Sequence, residues 1–508
     1  MTHNESSGIS RRDLFKVSLG GAAALTLASG ASGLGGCTDG GAPKPVPGTT
    51  GPVGFTGFVH PSARLATTNF SIGAASLIEG FVSLEGDSAR IGAATNLQDN
   101  DRLLNYDGPT GRTAGDLQMG DGTFTAHGAT FIGRVRIGDA CGTVINAVVQ
   151  NARIGNACIT GFLARILGTD PNRPIEIPDA TLVLFGAKIT SQADVAANTI
   201  PVPAAFSLFA SDVDQENLLL ARAYNLLYRA AARQTPFSSA ANDPRNPGAS
   251  FPSVASAFGK LSVAPPTLDR RGTGVIPARQ ASLGDLDFTL YQPLSPVPRP
   301  STAAPDSGGA LASAPPSTSP EAGARFIIPR VVDPTLVSDN AIVLGGCDLA
   351  AGVTVGAGSY LHGGDAPAIS VGAGTAIGQN TSLHQLTFTS CRVGANCTIG
   401  NRVVLHGPLE IGDNVTIGDG AVLFGPTVAS GVTIGAGSLV FGPVTVTQDL
   451  PPRTFMVAPG NEALIAPTAG QARATGRPSR LMYGEWRRAQ DAGARCGCGA
   501  GIALFAFA

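Results

Sequence analysis

From Val393 onward, aliphatic residues return at a fixed interval: Val393, Ile399, Leu405, Ile411, Ile417 and Leu423 are six apart. After one five-residue step the series continues at Val428, Ile434 and Val440. Most are followed by glycine, as in VGANCT, IGNRVV, IGDNVT, IGDGAV and IGAGSL. A period of six with one inward aliphatic predicts a short strand and a turn per unit, three units closing one triangular coil. Glycine after the aliphatic permits a tight corner. A fainter copy runs through the first half, at Ile72-Gly73, Ile91-Gly92, Ile137-Gly138 and Ile154-Gly155. Helical spacing of apolar residues appears in Glu216 to Arg233 (ENLLLARAYNLLYRAAAR), which predicts a helix packed along a prism face.

These units resemble the hexapeptide repeats of the left-handed parallel β-helix. The left hand follows from that resemblance, since general crossover rules predict the opposite. The expected architecture is mainly β, two tandem left-handed parallel β-helices with a helical insert between them. Domain 1 spans 54–205 and domain 2 spans 325–462, with the insert at 206–292, a Pro/Ser/Ala-rich linker at 293–324 and a tail at 463–508.

Composition sharpens this picture. The 508-residue chain has 67 glycines but only 14% charged residues, as expected where glycine marks many corners and flat faces pack together. With 43% hydrophobic residues, global disorder is excluded. A net charge of −2 gives no footprint for nucleic acid. After the N-terminal region no apolar run reaches the ~18 residues of a membrane span.

The N-terminus carries an address. Arg11 and Arg12, in SRRDLFK, precede a weakly apolar stretch from Val17 to Leu34 and resemble a twin-arginine export signal. Leu34-Gly35-Gly36-Cys37 resembles a lipobox, so residues 1–36 are expected to be removed, Cys37 lipidated, and 37–53 to act as a tether. The expected location is extracytoplasmic, a membrane-anchored lipoprotein on the periplasmic face or cell surface. The remaining cysteines show no C-x-x-C spacing and are read as small buried residues rather than disulfides.

Among hexapeptide prisms, the residues resemble γ-class carbonic anhydrases. IGAATNLQD (Ile91 to Asp99) is similar to that family's Asn-x-Gln-Asp signature, and ITSQADV (Ile189 to Val195) fits its close. In domain 2, VGAGTAIGQNTSLH, VVLHGP and TFMVAPG match. The resemblance implies three histidines binding zinc (iron or cobalt being possible) between two prisms, two from one and the third from its neighbour. Position by position, the first ligand falls on Leu104 in domain 1 and His384 in domain 2, and the second on His127 and Asn401. The third falls on Ile132 and His406. Each prism alone is therefore broken, and the breaks are complementary. Gln98 and Asp99 lie on the side expected to bear His127. One composite site is thus implied, with His127, His384 and His406 as ligands.

Geometry supports part of this independently of family. His362, His384 and His406 recur at 22 residues in equivalent units with Phe424 and Phe441, which places them in one column with neighbours about 4.8 Å apart. The family's arginine position holds His362 in domain 2 and Glu85 in domain 1, with Asp87 matching a nearby acid.

The implied activity is reversible hydration of CO2 to bicarbonate. Gln98 would orient the reacting oxygen, Asp99 and Asp87 support the interface, and Glu85 or Asp107 shuttle protons. Two alternatives stand beside it: a catalytically silent scaffold subunit, and a hexapeptide acyltransferase using His127 or His406 as base. Domain–domain pairing is expected, and two prisms leave room for further oligomerisation.

Overall fold

A computed structural model describes residues 58–203 and 330–479, apart from short breaks, together with Phe206, Val213, 267–268 and 275–276. The signal region, Cys37, the linker and most of the predicted insert lie outside the described residues. The chain winds into a parallel left-handed β-solenoid of about 13 turns, in two stacks. Apart from Phe206 and Val213, helix within the described residues is limited to short 3-10 turns such as Gln192–Asp194 and Glu462–Leu464.

The six-residue spacing becomes register. In the second stack Ile377 pairs with Ile399, Ile399 with Ile417 and Ile417 with Ile434, so each aliphatic sits directly over the next. All four are buried, and with the equivalent valines and leucines of the other walls they form one core. Three walls result. One is built on Thr398–Ile399 and its neighbours, one on Val404–Gly407, and one on Leu409–Ile411.

The first stack repeats the plan. One wall runs through Phe58–Val59, Leu77–Ile78, Asn96–Leu97, Phe124–Thr125, Gly142–Thr143 and Ile159–Thr160. The other two are carried by longer strands that bend at a corner, such as Thr130–Ile137, whose register breaks between Ile132 and Val135. An antiparallel hairpin, Tyr106–Gly108 with Gly111–Thr113, leaves the coil between these walls.

Corners are held by two polar ladders. Hydroxyls and thiols at one inward position donate to a carbonyl one coil along: Thr123 Oγ1 to Gly138 O at 2.9 Å, Cys141 Sγ to Gly155 O at 2.9 Å, Cys397 Sγ to Gly412 O at 3.2 Å. The residue after an Ile-Gly, or after Ile177-Pro178, forms the second. Asp139 accepts from Asp121 N, Asn156 from Asp139 N and Asp179 from Asn156 N. The second ladder gives the backbone N–H groups at the exposed corners a side-chain acceptor, which accounts for the recurrence of IGD and IGN.

The stacks meet along unlike walls. The wall of Phe124–Thr125 in the first faces the wall of Val404–Gly407 in the second. Phe162 packs with Phe424 and Phe441, and Phe185 with Phe441, at ring separations of 5.2–5.8 Å. Phe185 also bonds through its backbone to Leu464 O at 2.7 Å and Ala466 N at 3.0 Å. The approach is tight at Gly80, where a Cβ would come within 2.7 Å of the Tyr360 ring.

Candidate metal centre between the stacks

The ligand column forms because 22 residues span one coil here. His384 is in register with His406, and His406 with Phe424. His362 extends the column one coil the other way and stacks on His384 at 4.9 Å. His127 comes from the opposite stack, in the turn between Phe124–Thr125 and Thr130–Ile137.

Each of His127, His384 and His406 offers a ring nitrogen, and the three nitrogens lie within 4.8 Å of one another. Ring centroids are 5.0 Å apart for His384–His406, 5.3 Å for His127–His384 and 5.7 Å for His127–His406. His384 Nδ1 and His406 Nε2 are 3.1 Å apart, close to the ~3.4 Å edge of a tetrahedron with metal–nitrogen bonds of ~2.0–2.1 Å.

Hydrogen bonds fix which nitrogens face the centre. His406 donates from Nδ1 to the Gly407 carbonyl at 2.9 Å, leaving Nε2 for the site. His127 donates from Nδ1 to Asp99 Oδ1 at 2.5 Å, and its buried Nε2 has no hydrogen-bond partner. An orphaned imidazole nitrogen turned toward two others suits a cation. A carboxylate behind the ring is also the usual support of a metal-bound histidine.

Electrostatics favour neutral rings at the two ligands from the second stack. Burial, reinforced by His127, lowers the His406 pKa to about 3. Burial followed by the neighbouring histidines holds His384 well below its ordinary value. Asp99 remains a carboxylate: burial alone would raise it, but His127, Ser382 and Asn100 together hold it below the usual range. Its Oδ2 accepts from the Ser382 hydroxyl across the interface, so Asp99 joins the two stacks as well as orienting His127.

Gln98 is buried beside Asp99 in the same turn, and its backbone N–H donates to Thr125 Oγ1 at 3.2 Å. Leu104 and Ile132, at the domain-1 slots without histidine, pair with each other in the adjoining wall. Asn401 is exposed and belongs to a corner ladder, its backbone N–H donating to Asp419 Oδ1 at 2.8 Å.

Glu85 and Asp87 are not brought to the histidines, contrary to the roles expected for them. Both lie in Ser83–Ile91, in the two walls that face away from the second stack. Glu85 is 38% exposed and 3.8 Å from Arg64, and Asp87 is exposed. Asp107, in the hairpin, is likewise exposed. Outward acids in these walls have water for a partner, whereas the site is closed between the stacks.

Ser382 and the first stack's Phe162 and Phe185 are not marked as site residues by the repeat spacing, which among these phenylalanines picks out only Phe424 and Phe441. A signal for Phe162 and Phe185 existed: the corner that reads IGN and IGD in domain 2 reads Thr143-Val144-Ile145, Thr160-Gly161-Phe162 and Val183-Leu184-Phe185 in domain 1. Apolar residues where a polar ladder belongs mark a covered corner.

A family model described as bacterial transferase hexapeptide (six repeats) matches residues 390–425. No curated protein matches the chain. The chain thus contains a hexapeptide-repeat domain in a β-helix.

Proposed function

We propose that the chain is a γ-class carbonic-anhydrase-like protein that hydrates CO2 reversibly at one zinc site shared by its two stacks. The observation that supports this most is the meeting of His127 with His384 and His406, each stack contributing what the other lacks. Zinc held by three neutral imidazoles has one open position and acidifies water to near neutral pH. The protein's own groups do the rest. Asp99 keeps the His127 ring oriented, and His406 is fixed by the Gly407 carbonyl. The phenylalanine cluster keeps water from one side, and the Gln98 amide orients the substrate oxygen. Iron or cobalt would suit the same donors.

Export by the twin-arginine route and anchoring through Cys37 belong to the same proposal. They would place the reaction at the outer face of the membrane. Stopped-flow CO2 hydration by the purified chain tests the activity. Turnover that disappears alike in His127→Ala, His384→Ala and His406→Ala is expected, and a metal-loaded chain without turnover overturns it.

The match to transferase hexapeptides favours acyl transfer as a second reading, with His127 or His406 as base. In that case transfer from an acyl thioester would persist after metal removal. A silent scaffold would bind no metal and tolerate all three substitutions.

A further inference from the structure

A second carboxylic acid lies beneath the histidine turn. Backbone hydrogen bonds pass up one inward corner of the first stack. Arg64 N donates to Val82 O, Ser83 N to Asp101 O, Arg102 N to Ala129 O, Thr130 N to Ala147 O and Val148 N to Ala164 O. The column therefore reads Val82, Asp101, Ala129, Ala147, Ala164. One acid stands among valine and alanines, fully buried.

Both its oxygens are spent on the turn that presents His127. Oδ1 accepts from Ala129 N at 2.7 Å, and Oδ2 accepts from the Thr125 hydroxyl. These partners flank His127 two residues to either side. Neither needs the acid in order to be satisfied. Ala129 N also reaches the Ala126 carbonyl at 3.3 Å, and the single Thr125 hydroxyl proton has Asn96 O, 3.3 Å away, as an alternative acceptor. The neighbouring coils turn the same corner with alanine. A buried acid is an expensive way to hold a corner that valine or alanine holds elsewhere, which points to a role other than folding.

Burial, with Asp99 and Glu79 adding to it, pushes the Asp101 carboxyl well above the usual range.

Resting on the metal-site reading above, we infer that Asp101 is a positioning residue that pins the Thr125–Ala129 turn and thereby sets His127 for metal binding. Asp99 orients the imidazole ring, and Asp101 fixes the backbone that carries it.

Cobalt(II) titration of the full chain tests this, read by visible d–d absorption and by thermal unfolding of the metal-free protein. Asp101→Val, which restores the residue type of Val82, is expected to unfold at the wild-type temperature or above. It is also expected to bind cobalt about 10-fold more weakly, with an altered spectrum. Asp101→Asn keeps one acceptor oxygen for Ala129 N and should recover affinity and spectrum in part. Val149→Ala, a core change elsewhere in the stack, should lower stability and leave affinity alone. Should Asp101→Val not fold, Thr125→Val, which removes one of the acid's two partners, is expected to show the same weakened binding.

Wild-type cobalt affinity in Asp101→Val, or in Thr125→Val where that variant stands in for it, would overturn the inference. So would a loss of affinity in Val149→Ala as large as that in Asp101→Val. If the unmodified chain binds no cobalt, the metal-site reading itself fails and this inference with it.

Discussion

At Asp99 two demands meet on one side chain: one oxygen takes the His127 Nδ1 proton, and the other takes the Ser382 hydroxyl from the opposite stack. The ring's orientation and the distance between the stacks are therefore tied together. Removing the negative charge while keeping the shape separates these effects. Asp99→Asn should lower zinc affinity by 10–100-fold, the range found for supports of metal-bound histidines, as read by competition with a chromophoric chelator. Ser382→Ala, which leaves the ring's own bond intact, should lower it less. Little of this was legible in the sequence. The Gln98-Asp99 motif was visible, and its side of the prism followed from six-residue spacing. Ser382 was not, because a serine in a strand carries no signal until its neighbour across the interface is known. Glu85 and Asp87 were placed by position alone, which does not register that an outward acid facing solvent has no need of the site.

At the scale of the element, spacing carried nearly everything. Strict recurrence of aliphatics forces in-register stacking, and Ile377, Ile399, Ile417 and Ile434 align as that recurrence demands. The sequence predicts small buried residues at most of the cysteines, and Cys141, Cys158, Cys347, Cys391 and Cys397 are buried. Cys141, Cys158 and Cys397 donate to carbonyls where other coils use threonine. Cys397→Thr should therefore leave stability within about 0.5 kcal/mol of wild type. Cys397→Ala, which leaves the Gly412 carbonyl without that donor, should cost about 1–2 kcal/mol. Urea unfolding of the two variants compares them directly. The helical segment Glu216 to Arg233 lies outside the described residues.

Across the whole molecule, the chain joins two stacks through unlike walls and buries five histidines between or beside them. His60, edge-on to Tyr360 at 6.4 Å, is the useful probe, since it is not a ligand. Burial, then His362, lowers its pKa from 6.5 to about 3. The unfolded chain therefore takes up a proton below pH ~6.5 that the folded chain refuses until about pH 3. The stability this neutral histidine contributes is present above ~6.5 and is lost progressively as the pH falls toward 3, at up to ~1.4 kcal/mol per pH unit. His362, also lowered to about 3 by burial, adds to the slope. Thermal melts of the metal-free chain from pH 8 to pH 4 should show a plateau and then a decline, shallower in His60→Gln.

Complementary loss is what links these scales. Where domain 1 has Leu104 and Ile132 the wall is open, and where domain 2 has Asn401 the corner is an ordinary polar ladder. The three remaining histidines converge on the interface between the two described stacks. Metal stoichiometry of the purified full chain, measured by elemental mass spectrometry beside His127→Ala, tests this most directly. One metal ion per chain is expected in the wild type and none in the variant, although His384 and His406 are untouched. A variant retaining its full complement of metal would show that the second stack holds the ion alone, and would contradict a site shared between the two.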